Sequence, residues 1–290
     1  MIIWLASYPR SGNTLLRTIL KHCLNQFSYA DELVYQQNPL RNNPELVGHI
    51  ERSEPWEIFY ERACNSRDVV LVKTHNLPRD NQPFIYIVRD GRSAVQSYRQ
   101  FHLKYNKVDK SLVRIILGDD VYADWATHYY QWNLRPVKKL SLRFEDIVNI
   151  SKAQLEQLAD FIGYKGEVKP WRNPIENLRG IEPDFFNKGN THFVPGEEWT
   201  EAVGFLFNKL YQVLMAELGY GKNLCPDPAV NPLTDAMINE LIRLTQCLLN
   251  EKSELSHICN ERNELIHKLQ GICEERLQLI NQLHQSINLT

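Results

Sequence analysis

At 290 residues the chain is long enough for one large α/β domain with an appendage. Its 43% apolar and 23% charged residues are ordinary globular values. A net charge of -2 leaves no basic excess to neutralise a nucleic-acid backbone, so any anion site has to be a local cluster of Lys and Arg. Six scattered cysteines (Cys23, Cys64, Cys225, Cys247, Cys259, Cys273) show neither CxxC nor zinc spacing, which reads as reduced thiols. The opening apolar run lacks a basic flank and is too short for a signal sequence or a membrane span. The expectation is a cytoplasmic protein.

Met1 to Ala6 (MIIWLA) reads as a buried strand, broken at Ser7 to Thr14 (SYPRSGNT) by a Pro and a Gly. From Asn13 the pattern turns helical, with Leu15, Leu16, Ile19 and Leu20 on one face. Strand, tight loop and helix leave unpaired backbone N–H groups at a helix start, where an anion is favoured. Asp31 to Asn65 reads as loops with short helices, one near 54 to 64. Asp68 to Val72 is a second strand leading into Lys73-Thr74-His75, and Phe84 to Val88 a third, ending in Arg89-Asp90-Gly91-Arg92-Ser93. A helix is expected to Phe101, an aromatic helix over Val121 to Pro136, a strand over Lys139 to Phe144 and a helix over 151 to 162. Alternating strands and helices imply a parallel sheet flanked by helices, with ligands beyond the C-terminal strand ends.

Three of those strand ends carry the chemistry. They supply Arg10, Lys73, Arg89 and Arg92 as cations, Ser11, Thr14, Ser93 and Ser97 as hydroxyls, and His75. Two anion sites are expected, one at residues 10–14 and one at Arg89 with Ser97, about two helical turns apart. A nucleotide with a 3'-phosphate and a 5'-anhydride would suit them. His75 beside Lys73 fits a general base next to a charge-stabilising cation, although a structural histidine and a local Arg89–Asp90 ion pair fit the same residues.

The segments YPRSGNT, LVKTHNLP and YIVRDGRSAVQSY resemble, in order, the 5'-phosphosulfate loop, the catalytic-histidine segment and the 3'-phosphate element of the PAPS-dependent sulfotransferases. Their donor is 3'-phosphoadenosine 5'-phosphosulfate (PAPS). DWATHYYQW, RFED and Asn187-Lys188-Gly189 are weaker echoes, and the likeness runs from Ile2 to Tyr220. The resemblance implies a P-loop-NTPase-like sulfotransferase fold and in-line sulfuryl transfer from PAPS to a hydroxyl or amine, leaving PAP, without a metal. It implies His75 as base and Lys73 and Arg10 as charge stabilisers. Ser11, Gly12, Asn13 and Thr14 would hold the 5' end, and Arg89, Ser97, Lys188 and Gly189 the 3'-phosphate. The acceptor side, a small molecule or carbohydrate, would be shaped by residues 31–65, His128 with its aromatic helix, and 190–200. The chain departs from the family at Arg10 (usually Lys), Leu15 (Trp), Phe144 (Tyr) and Asn187 (Arg). A P-loop kinase is disfavoured because GxxxxGK[ST] is missing. The competing reading is a catalytically degenerate scaffold or binding protein acting through its C-terminus.

Residues 1–224 are thus expected to form the sulfotransferase domain, 225–232 a Pro-rich linker and 233–290 a coiled coil. With a at Leu241, Leu248, Leu255, Arg262, Leu269, Arg276 and Leu283, position d holds Leu244, Glu251, Ile258, Leu265, Ile272 and Leu279. Glu261 and Glu275 precede the two a-position arginines, suggesting registry by g-to-a charge pairs and a homo-oligomer. Ile266 and Ile280 at e widen the stripe, so dimers, trimers and tetramers are all open. A helix folded back on its own domain is the other possibility.

Overall fold

The computed structural model describes residues 1–31, 44–106, 110–174, 180, 191–221 and 232–287. Five parallel strands form one sheet in the order β2-β3-β1-β4-β5. They are β1 (Ile2–Ser7), β2 (Ser28–Ala30), β3 (Val70–Thr74), β4 (Phe84–Val88) and β5 (Lys139–Arg143). All six residues of β1 are buried, as a central parallel strand covered on both faces requires.

The period of two sorts β1 between two cores. Ile2, Trp4 and Ala6 join a cluster with residues of α2 (Trp56–Asn65), α3 (Gly91–Phe101), α4 (Leu112–Ile116), α5 (Trp125–Asn133) and α8 (Glu201–Glu217). Ile3 and Leu5 join the opposite cluster with α1 (Asn13–Leu24), α6 (Phe144–Ile147) and α7 (Lys152–Ile162). The expected parallel sheet with helices on both faces is the observed fold.

Several boundaries differ from the sequence expectation. Strand β3 runs two residues further, because Lys73 and Thr74 still occupy ladder positions beside Leu5 and Ala6. Strand β5 stops at Arg143, opposite the last residue of β4, and Phe144 opens α6 instead of ending the strand. The aromatic helix starts only at Trp125, where the Asp124 carboxylate accepts from the N–H groups of Ala126 and Thr127.

The chain divides into two compact units, Met1–Pro228 and Ala229–Thr290. The second contains α9 (Pro232–Ile287), a single helix of 56 residues. No helix among the described residues is long and apolar enough to cross a membrane.

Candidate functional site

The loop from β1 to α1 is held in an uncommon conformation. Arg10 lies at φ 64° and Gly12 at φ 108°, both in the left-handed region. Gly12 is required twice, since a Cβ there would also lie 2.5 Å from Cδ2 of Phe144. Asn13 braces the loop from within: its side-chain amide donates to the Leu5 carbonyl (2.7 Å) and to Ser7 Oγ (3.3 Å). Among the described residues, the buried Ser11 Oγ and Asn13 Oδ1 have no hydrogen-bond partner. Thr14 lies half-buried in the first turn of α1.

The two expected anion sites meet. Arg10 Nε donates to Ser97 Oγ at 3.3 Å, and Arg89 Nη1 donates to the Arg10 carbonyl at 3.1 Å. Burial, then the neighbouring Arg89 charge, lowers the Arg10 guanidinium to about 10. Arg89 is lowered too, chiefly by burial, while Glu145 and Asp90 partly offset it. Its guanidinium lies 4.4 Å from the Phe144 ring centroid. The Asp90 carboxylate receives Arg92 Nε at 3.0 Å and Nη2 at 2.6 Å. Arg92, one of the cations read at this strand end, thus forms an ion pair with Asp90 at the start of α3.

His75 follows β3 directly. Its Nδ1–H donates to the Ser7 carbonyl at 2.7 Å, with Ser7 Oγ at 3.3 Å, which fixes the tautomer and leaves the lone pair on Nε2. Tyr122 meets the ring edge-on at 6.0 Å. Lys73, two residues earlier, sits half-buried beside Leu5 of β1 and Ala30 of β2.

Two groups that position His75 carried no sequence signal for that task. His128 is fully buried. Its Nε2–H donates to the His75 carbonyl (2.9 Å) and its Nδ1 accepts from Tyr86 Oη (2.8 Å). Burial drives it down to about 4, so it stands neutral. On the other side Asp31 Oδ2 accepts from Thr74 Oγ1 (2.5 Å) and Asn76 Nδ2 (2.9 Å), gripping both sequence neighbours of His75. Trp132, buried, donates from Nε1 to the Asn76 carbonyl at 3.0 Å, so it belongs to the frame.

Lys188, Gly189 and Asn187 lie outside the described residues. Among the described residues no group of three His, Cys, Asp or Glu could hold a metal ion. The assembled site is a cationic cradle at a helix start, edged by a histidine of fixed tautomer.

Residues 2–180 match the family model described as the sulfotransferase domain. The chain belongs to the sulfotransferase family. Among its relatives, mouse sulfotransferase 4A1 is 26% identical over 195 residues, covering 62% of this chain and 66% of that protein. The human protein of that name is 28% identical over 177 residues, 56% of this chain and 59% of its own. The match thus spans less than two thirds of either relative. Flavonol 4'-sulfotransferase of Flaveria chlorifolia is 23% identical over 276 residues, 85% of this chain and 81% of that protein. Among solved structures, mouse sulfotransferase SULT7A1 complexed with PAP aligns over 77% of this chain and 87% of its own, at 17% identity and a TM-score of 0.49.

Proposed function

We propose that the chain is a PAPS-dependent sulfotransferase acting on a hydroxyl or amine of a small-molecule or carbohydrate acceptor. The observation that carries the reading is the meeting of Arg10, Arg89 and Ser97 above a buried, unpartnered Ser11 Oγ, one strand away from His75. Bound PAPS supplies an activated sulfuryl group with an anionic leaving phosphate. Ser11, Gly12, Asn13 and Thr14 would hold the 5' end through loop and helix-start N–H groups. Arg89 and Ser97, with Lys188 and Gly189, would hold the 3'-phosphate. Lys73 and Arg10 would stabilise charge at the transferring group, and His75 Nε2 would take the acceptor's proton. Cations and backbone donors supply the charge stabilisation, so the reading includes no metal. Scattered free cysteines suit a reducing, cytoplasmic setting.

Calorimetric titration with PAP tests the donor site. Wild type should bind in the micromolar range and Arg89→Ala about 10- to 100-fold more weakly, the loss of charge-assisted hydrogen bonds. A folded wild type that binds no PAP would turn the reading to the scaffold.

The same proposal takes α9 as a self-association surface for a second copy. Leu241, Leu244, Leu248, Leu255, Ile258, Leu265, Leu269 and Ile272 are exposed along it at the expected a and d positions. Parallel, in-register copies place Glu261 and Glu275 of one helix beside Arg262 and Arg276 of the other. In the full chain, Leu255→Glu with Leu269→Glu should reduce the mass measured by light scattering to that of one chain. A mass equal to wild type in the double variant counts against the coiled coil.

A further inference from the structure

Helix α3 carries Ser97 on one side and grips a distant segment with the next. Arg92, Gln96 and Arg99 are spaced i, i+4 and i+7, so they form one stripe. Each meets residues 193–198 in order along the helix. The Arg92 guanidinium lies 5.1 Å from the centroid of Phe193. Gln96 Nε2 donates to the Val194 carbonyl at 3.0 Å, while its Oε1 accepts from the Gly196 N–H at 2.8 Å. Arg99 donates from Nε at 3.0 Å and from Nη2 at 2.9 Å to the two carboxylate oxygens of Glu198. Beyond the stripe, Trp199 packs on Phe193 (4.7 Å) and on Phe207 of α8 (5.4 Å), and Thr200 caps that helix.

Such a pairing is more specific than packing alone. Gln96 uses both ends of its amide on one stretch of backbone, and the buried Arg99 uses a two-point fork. Any slip of the strap along α3 would break the amide pair and the fork together. Strap and helix therefore move as one body. That body carries Ser97, adjacent in sequence to Gln96 and in contact with Arg10, and it follows Lys188 and Gly189 by only a few residues.

We infer that Gln96 and Arg99 are positioning residues for recognition of the donor's 3'-phosphate: clasping the 193–198 strap, they set where α3 presents Ser97. The inference rests on the donor reading above. It makes a selective claim, because adenosine 5'-phosphate lacks the 3'-phosphate and should not sense the clasp.

Calorimetry with PAP and with adenosine 5'-phosphate tests it, on Arg99→Glu, Glu198→Arg, the combined swap, and Gln96→Ala. Arg99→Glu and Glu198→Arg should each bind PAP about tenfold more weakly, as the loss of a charge-assisted contact implies, and Gln96→Ala about three- to tenfold, as the loss of neutral hydrogen bonds implies. Affinity for adenosine 5'-phosphate should stay at the wild-type level, and the combined swap should recover most of the PAP affinity. Gln96→Ala removes only neutral hydrogen bonds, so it reads the clasp should the charge reversals unfold the protein. Single variants that bind PAP like wild type overturn the inference. So does an equal loss for both nucleotides, or a swap no better than its parents. Wild type failing to bind PAP would instead remove the donor reading on which the clasp rests.

Discussion

His75→Ala is expected to lower turnover about 10²- to 10⁴-fold, the usual contribution of a positioned general base, while PAP affinity stays close to wild type. The separation follows from the geometry. His75 hangs on the Ser7 carbonyl through Nδ1 and its own carbonyl is held by His128, while Arg10, Arg89 and Ser97 are tied to one another by their own contacts. Removing the ring takes away the proposed base, whose Nδ1 the Ser7 carbonyl holds, and is expected to leave the cradle standing. Single-turnover kinetics with an accepted substrate, beside PAP calorimetry on the same preparation, decide the point. Turnover surviving in the alanine variant would sink the assignment of His75 as base. Loss of PAP binding along with turnover would place His75 in the cradle's framework.

Gly12→Ala should be strongly destabilising, because backbone strain and a steric clash coincide there. At φ 108° an alanine is strained whatever space surrounds it, at about 1–3 kcal/mol. The new Cβ would also lie 2.5 Å from Phe144 Cδ2, and overpacking of this kind costs about 1–3 kcal/mol more. Phe144 cannot simply swing away, because it is buried in the β5–α7 cluster with the Arg89 guanidinium on its face. Together the two effects amount to about 2–6 kcal/mol, a large share of a typical stability of about 5–15 kcal/mol. At about 2–4 °C per kcal/mol for a domain of this size, melting should fall by about 4–24 °C. Adding Phe144→Leu should recover part of the loss, the part due to the clash, and leave the part due to φ. A melting temperature unmoved by Gly12→Ala would show that the loop does not hold the conformation described.

The same pair of residues shows why the sequence was legible where it was. SYPRSGNT announced a strand, a loop and a helix start, because Pro, Gly and the periodic leucines each act locally. KTH and RDGRS could be placed at strand ends because apolar runs of four and five residues, VVLV and FIYIV, precede them. What local pattern could not carry was pairing across the sheet. Phe144 read as the last residue of a strand, and only the end of β4 opposite Arg143 shows that the ladder stops first. Asp90 and Arg89 are sequence neighbours, yet the carboxylate also holds the Arg92 guanidinium, because Asp90 caps the helix whose first turn carries Arg92. Strand β2 has three residues, too few for any period to register. Asp31 and His128 sit 44 and 53 residues from His75 in sequence, and their grip on it is a product of the tertiary fold alone.

The place of β1 in the sheet has a consequence for how the chain emerges from the ribosome. Its two neighbours are β3 and β4, the later of which begins at Phe84. During synthesis at about 5–20 residues per second, the run Ile2 to Ala6 must wait several seconds for both partners. Helix α1 forms earlier and can shield Ile3 and Leu5, whereas Ile2 and Trp4 face the side whose covering helices are translated later. The strand that ends up most protected in the folded protein is therefore the one left longest without a mate in the nascent chain. The interval before Val88 clears the exit tunnel is when this protein is most open to capture by a chaperone or by another copy of itself.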